Sequence, residues 1–124
     1  MSFVHREVVR FADCDPMGHL NNAVYSTFLE QARLAYFGSP EELGQADIIL
    51  ARTEIDFRSP VAVGETVEIA VDPGHIGSKS FELTYELRAG GRLVAKARTV
   101  LVGYDYRHAQ STIVPDRWKR RLAE

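Results

Sequence analysis

The stretch DCDPMGHLNNAVYSTFLEQAR, residues 13–33, decides how this chain folds. Its second half opens the one long helical signal, residues 21–37. There Val24, Phe28, Ala32 and Tyr36 form one stripe, and Tyr25 and Leu29 widen it. Asn21 or Asn22 can cap the start, Gly38 fits the position after the last turn, and Pro40 blocks continuation. Only Glu30, Gln31 and Arg33 are strongly polar in the middle, so the helix is expected largely inside the fold. Glu30 and Arg33 have the spacing of an ion pair on one helical face. The first half of the stretch is loop chemistry. Asp15-Pro16 and Gly18 mark a turn, and Pro16 biases Asp15 away from the helical region.

Outward from this stretch the pattern changes period. Residues 3–11 carry Phe3, Val4, Val8, Val9 and Phe11 and read as a first strand. After the helix everything reads as strands. In 50–57 Ala51, Thr53, Ile55 and Phe57 make the apolar face. Ser59-Pro60 and Gly64 bracket a turn; Val67, Ile69 and Val71 alternate with Glu68 and Ala70; Asp72-Pro73-Gly74 predicts a loop to about Lys79. Phe81, Leu83, Tyr85 and Leu87 alternate with polar residues, Gly90-Gly91 signals a hairpin, and 92–104 resume as a strand. Pro115-Asp116 opens a short basic tail with helical character. Strand, helix, then four strands on short links imply one antiparallel sheet curled around one apolar helix, an α+β fold. The sheet's other face is left for solvent or a partner.

The remaining composition sets bounds. The chain has 124 residues, 45% hydrophobic and 26% charged, which suits a single folded domain spanning residues 1–124. A net charge of −2 makes it a poor nucleic-acid binder. Its single cysteine, Cys14, leaves no intrachain disulfide and no multi-cysteine metal site. No apolar run approaches the roughly 20 residues that cross a bilayer, and the start shows no secretory pattern, so no membrane role and a cytoplasmic location are expected. A core this small favours association into oligomers.

Chemically, residues 13–33 place carboxylates, a histidine and two amides where a loop meets a helix N-terminus. Such a terminus offers unpaired N–H groups and partial positive charge, which can hold a carbonyl oxygen gaining negative charge. A nearby carboxylate can act as general base or attack the carbonyl. Taken singly, each residue also has a plain structural reading. Asp13 and Asp15 suit turns, Asn21 and Asn22 suit caps, Tyr25 suits the core, and His19 suits a loop hydrogen bond.

The segment VRFADCDPMGHLNNAVY, followed by Glu30, Ala32 and Arg33 as E-x-A-R, resembles the hotdog-fold acyl-CoA thioesterases of the 4-hydroxybenzoyl-CoA thioesterase-like group. F-A-D-C-D-P-x-G looks like the 4-hydroxybenzoyl-CoA enzymes. G-H-L-N-N-x-x-Y with E-x-A-R looks like bacterial long-chain acyl-CoA and plant acyl-carrier-protein thioesterases, so the chain mixes two signatures. The FRSP turn at 57–60 and GSKSF at 77–81 agree as well.

The resemblance implies a five-stranded sheet around a central helix, and homodimers joined sheet edge to sheet edge or homotetramers, with active sites at the subunit interface. It implies hydrolysis of an acyl-CoA to free acid and CoA without metal or organic cofactor. By position, Asp15 matches the catalytic carboxylate, as base or nucleophile. Asn22 sits where a backbone N–H polarises the thioester carbonyl. His19 and Asn21 match the histidine and asparagine of the second signature, and Tyr25 a pocket-lining tyrosine. Arg58, Lys79 and Arg88 flank turns or strand ends and are candidates for the phosphates of CoA; Arg117, Lys119, Arg120 and Arg121 are assigned to solubility or subunit packing. Two other readings stand: a hydratase or dehydratase of the same fold using His19 with Asp15, and a non-catalytic acyl-thioester binding protein.

Overall fold

The computed structural model of the chain describes residues 2–38 and 48–124. Five strands form one antiparallel path in the order β1-β3-β4-β5-β2, where β1 is Phe3–Val8, β2 Ile48–Phe57, β3 Thr66–Ile76, β4 Ser80–Ala89 and β5 Arg92–Asp105. A sixth strand of two residues, β6 (Gln110–Ser111), folds back on the end of β5. Helix α1 spans Val24–Phe37 and α2 spans Asp116–Ala123. This is the expected α+β arrangement, with short antiparallel links fixing the sheet order.

Alternation sorts the two faces of the sheet. Val67, Ile69 and Val71 of β3 and Phe81, Leu83, Tyr85 and Leu87 of β4 are fully buried or nearly so on the inner face. They pack against Tyr25, Phe28, Leu29, Ala32 and Tyr36 of α1. The outer face carries ion pairs instead. Arg6 meets Glu68 at 3.0 Å, Arg98 bridges Glu54 and Glu82 at 3.1 and 3.0 Å, and Arg52 also reaches Glu54. Charge paired in this way suits water, so the outer face has little need of cover.

Four details depart from the sequence reading. First, β3 runs on through Asp72-Pro73-Gly74 to Ile76. The missing N–H of Pro73 falls next to a register shift between Pro73 and Ile76, which absorbs it. Second, α1 begins at Val24, and Ala23 rather than an asparagine holds the cap position. Asn21 serves the preceding turn, its Oδ1 accepting the Ala23 N–H at 2.9 Å. Third, Glu30 and Arg33 form no ion pair: Glu30 is exposed, while Arg33 is buried. Fourth, the tail does not simply solvate. Trp118 and Leu122 of α2 are buried, the Trp118 ring lies 4.2 Å from Phe37, and Arg121 stacks 3.8 Å over Tyr36 while its Nε donates to the Tyr36 carbonyl. Gly38 ends α1 as expected, its N–H returning to the Leu34 carbonyl; Pro40 lies outside the described residues.

Among the described residues α1 lies nearest β1 and β3 and reaches β2 through Tyr25 on Phe57, and part of the inner face of β2 is left exposed. Phe57 and Leu50 are 45% and 46% exposed, and Thr53 is exposed, although the register puts Thr53 and Phe57 on the same face as buried Thr99 and Ala95. Among the described residues β2 is also an unpaired edge.

Candidate active site

The loop between β1 and α1 is a small hydrogen-bonded structure. Leu20 donates its N–H to Val61 and Asn21 to Asp13, and Cys14 pairs with Leu20 while His19 pairs with Ala62. The loop is thus stitched to the β2–β3 connection. Within it, Asp15 is half-buried and folds the chain around itself. Its Oδ1 accepts N–H bonds from Met17 at 2.9 Å and His19 at 3.2 Å, and its own N–H donates to the His19 carbonyl at 2.8 Å. Gly18 takes φ +82 to close this turn, a conformation L side chains rarely adopt. The second carboxylate oxygen, Oδ2, has no hydrogen bond among the described residues.

Asp13, two residues earlier, is wholly committed. It is buried, and Arg10 grips it through Nη2 at 2.8 Å, Nε at 3.2 Å and the backbone N–H at 2.9 Å. The Arg10 hydrogen bonds pull its carboxyl below the usual range against the opposing effect of burial. It lines a separate cleft with Glu7, Thr27 and Gln31.

Asp15, His19, Asn22, Tyr25 and Arg58 line one pocket, completed by Leu20, Phe57, Ser59 and Pro60, with a volume of about 280 Å³. Asn22 lies just before α1. The N–H groups on either side are used: Asn21 donates to Asp13, and Ala23 donates to Asn21 Oδ1. The Asn22 N–H has no acceptor among the described residues. His19 is half-buried, and its imidazole makes no hydrogen bond to Asp15; its backbone does that work. Tyr25 packs edge-on against Phe57 at 5.0 Å between ring centres. Burial pushes its phenol up, and the charge of Arg92 opposes this.

Three expected contacts do not reach this pocket in the chain itself. Asn21 turns to the loop. Lys79 sits before β4, at the opposite end of that strand from the hairpin beside the site. Arg88 points to the outer face, near Glu86, because its neighbours Leu87 and Ala89 point inward.

Two residues not expected from the sequence, Glu65 and Arg92, lie outside the pocket lining and hold its Ser59-Pro60 side in place. Arg92 reaches Glu65 through both terminal nitrogens, at 2.9 and 2.8 Å, and also donates to the carbonyls of Pro60 and Ala89. Glu65 takes the Ala62 N–H as well, and these bonds, Arg92 first, hold its carboxyl down at about 2. This clamp fixes Ser59-Pro60 against the β4–β5 hairpin. The two residues are far apart in sequence, and only the turn glycines beside them, Gly64 and Gly91, mark the places.

No group of three or more His, Cys, Asp or Glu among the described residues could hold a metal ion, and no described helix is long and apolar enough to cross a membrane.

Comparison with known proteins converges on one family. The model of the thioesterase-like superfamily matches residues 9–122. A 1,4-dihydroxy-2-naphthoyl-CoA hydrolase of Nostoc punctiforme is 30% identical over 127 residues, covering 94% of this chain and 83% of the relative. Among solved structures, a Thermus thermophilus thioesterase complexed with coenzyme A and zinc superposes with a TM-score of 0.85 at 33% identity, covering 96% of this chain and 90% of the other. A 1,4-dihydroxy-2-naphthoyl-CoA thioesterase from Synechocystis superposes with a TM-score of 0.90 at 18% identity, covering 100% and 97%, and so shares the fold. With its helix on an antiparallel sheet and its match over nearly the whole length, the chain belongs to the thioesterase-like superfamily and is a hotdog-fold thioester hydrolase.

Proposed function

We propose that the chain hydrolyses an acyl-CoA thioester to the free acid and CoA in the pocket between the Asp15 loop and Phe57. The observation that carries this reading is the pairing of two unspent groups on one pocket: Oδ2 of Asp15 and the N–H of Asn22. The Asn22 N–H donates to the thioester oxygen as negative charge develops there, with the positive end of α1 behind it. Asp15 takes a proton from water, which attacks the carbonyl carbon and expels the CoA thiolate. On the other route Asp15 attacks, releases the thiolate and leaves a mixed anhydride that water opens. Holding Oδ1 with two N–H groups keeps Oδ2 aimed in either case. His19 contacts substrate, and Arg58, exposed at the pocket mouth and without an ion pair among the described residues, takes a CoA phosphate. The CoA held by the Thermus relative and the aromatic CoA thioester in the name of the Nostoc relative support this substrate class.

The chain works as a dimer or tetramer. The open edge of β2 pairs with a second copy, whose arrival covers the bare inner face of β2 and places the pocket at the seam.

The test is a panel of acyl-CoAs followed by thiol release, with Asp15→Asn beside the wild type and sedimentation to give the assembly. Asp15→Asn lowers kcat by at least about a hundredfold with its fold intact. A folded variant with full activity, or a strictly monomeric active species, overturns the reading.

A further inference from the structure

Arg33 is a buried cation that the chemistry above does not use. It sits in the third turn of α1, only 8% exposed, and no carboxylate among the described residues pairs with it. Its guanidinium lies against the phenol of Tyr85, itself buried and hydrogen-bonded to Thr99 Oγ1 at 2.7 Å. Thr99 stands opposite Thr53 of β2 in the sheet register. One guanidinium, one phenol and the Thr99 hydroxyl are thus buried together on the inner face, and the exposed Thr53 stands beside them where β2 is bare.

This cluster is collinear with the pocket. Along β2, Phe57 is opposite Ala95, Ile55 opposite Ala97 and Thr53 opposite Thr99. Phe57 to Thr53 is four residues, about 13 Å of strand. Along α1, Tyr25 to Arg33 is eight residues, about 12 Å of helix, and side chains on a helix lean back toward its N-terminus, which brings the guanidinium nearer the pocket. Between the two ends the strand floor is Ile55 opposite Ala97, with Ala95 beside Phe57 at the pocket end, all apolar.

We propose that this cluster is the far end of the acyl site and that it selects acyl groups ending in a carboxylate. A buried guanidinium is a fork of N–H donors seeking a planar anion, and a carboxylate matches it with two parallel bonds. The apolar floor accepts the apolar middle of the acyl group, and Tyr85 and Thr99 complete the shell around its acid end. The inference rests on the acyl-CoA reading above.

The experiment compares matched pairs of thioesters that differ only at the far end: hexanoyl-CoA against the monothioester of adipic acid, and octanoyl-CoA against that of suberic acid. CoA release is measured for wild type, Arg33→Met and Thr53→Leu, with a thermal melt to establish that each variant is folded. Wild type favours the acid-ended member of at least one pair in kcat/KM by about tenfold or more. Arg33→Met brings that ratio close to one. Thr53→Leu, at an exposed position that leaves the core intact, blocks the far end and cuts the same ratio even if Arg33→Met fails to fold. Wild type turning over both members of each pair equally overturns the proposal while leaving the acyl-CoA reading standing, as does a preference that survives both substitutions. Dissociation of the assembly by Arg33→Met with no change in the ratio also overturns it, because Arg33 then answers a carboxylate of a second copy. Release of CoA from none of the panel overturns both readings together.

Discussion

The inner face of the sheet has two unlike halves. Under α1, the side chains of β3 and β4 are sealed: Val67, Ile69, Phe81, Leu83 and Leu87 have no exposed surface. Toward β2 the same face is bare, with Phe57 and Leu50 nearly half exposed. Both halves have the same inward alternation, so the difference is one of cover. The sealed half is a core in its own right and accounts for the fold. The bare half is apolar without being finished, and the pocket with Asp15, Asn22 and Tyr25 lies where the two meet. Stability and, on the proposed reading, function are thus divided between halves of one surface.

Two truncations break that comparison if it is wrong. Phe81 is fully buried and packs its ring 5.7 Å from Phe37. Phe81→Ala costs about 3–5 kcal/mol in a denaturant titration, removing both transfer energy and a filled volume. Ile55 faces the same way from β2 but is only half-buried, so Ile55→Ala costs about 1 kcal/mol in dilute protein. Its larger effect appears in assembly and turnover. Equal losses for the two variants at low concentration would mean that the bare half is already covered within one chain.

The same division decides what was legible in the sequence. At 81–88 the strand, its inward residues and its burial could all be read, because one side meets core and the other meets water. The α1 stripe was legible for the same reason, as was the Gly90-Gly91 hairpin, whose two residues take φ +58 and +80. What depends on contacts distant in sequence was not. Asp13 and Asp15 are told apart partly by a local contact, the grip of Arg10 three residues before Asp13, which leaves one carboxylate spent and the other half free. Arg33 and Glu30 have ion-pair spacing, yet the curvature of the helix surface sends one inward and the other to water. Pro73 read as a breaker because a bulge that would shelter it has no sequence signature. The Glu65–Arg92 clamp joins two turns whose proximity only the finished sheet creates.

That clamp ties the end of β2 to the β4–β5 hairpin at the seam of the two halves, and it is sensitive to acid. In the folded chain Glu65 titrates at about 2 rather than at 4.5, first because of Arg92 and then because of the Ala62 N–H. A carboxyl with a lowered folded value contributes stability above its ordinary range. That contribution is lost as pH falls from about 4.5 toward 2, where the folded group takes up its proton. Melting wild type and Glu65→Gln from pH 7 down to 2 shows the wild-type advantage largest near neutrality and shrinking through that window. A gap constant with pH would remove the carboxylate as its source. In turnover the variant shows a raised KM before any fall in kcat, because Ser59-Pro60 borders the pocket and carries no reacting group.

The smallest effect is expected on the outer face of the sealed half, one residue away from a fully buried position. Along β3, Val67 and Ile69 are buried while Glu68 between them points outward to Arg6, its partner across the β1–β3 register, at 3.0 Å. The Glu68 and Arg6 side chains remain 48% and 63% exposed, so water screens their attraction and ordering two long side chains offsets much of it. Glu68→Gln therefore changes stability by no more than about 0.5 kcal/mol, and raising the salt concentration reduces even that. Ile69→Val, at the next residue, costs about 1 kcal/mol for a single methylene group and is insensitive to salt. Denaturant titrations of both variants at low and high ionic strength test this on adjacent positions. If Glu68→Gln proves the costlier of the two, the outer face is not a solvated surface, and some part of the assembly packs against it.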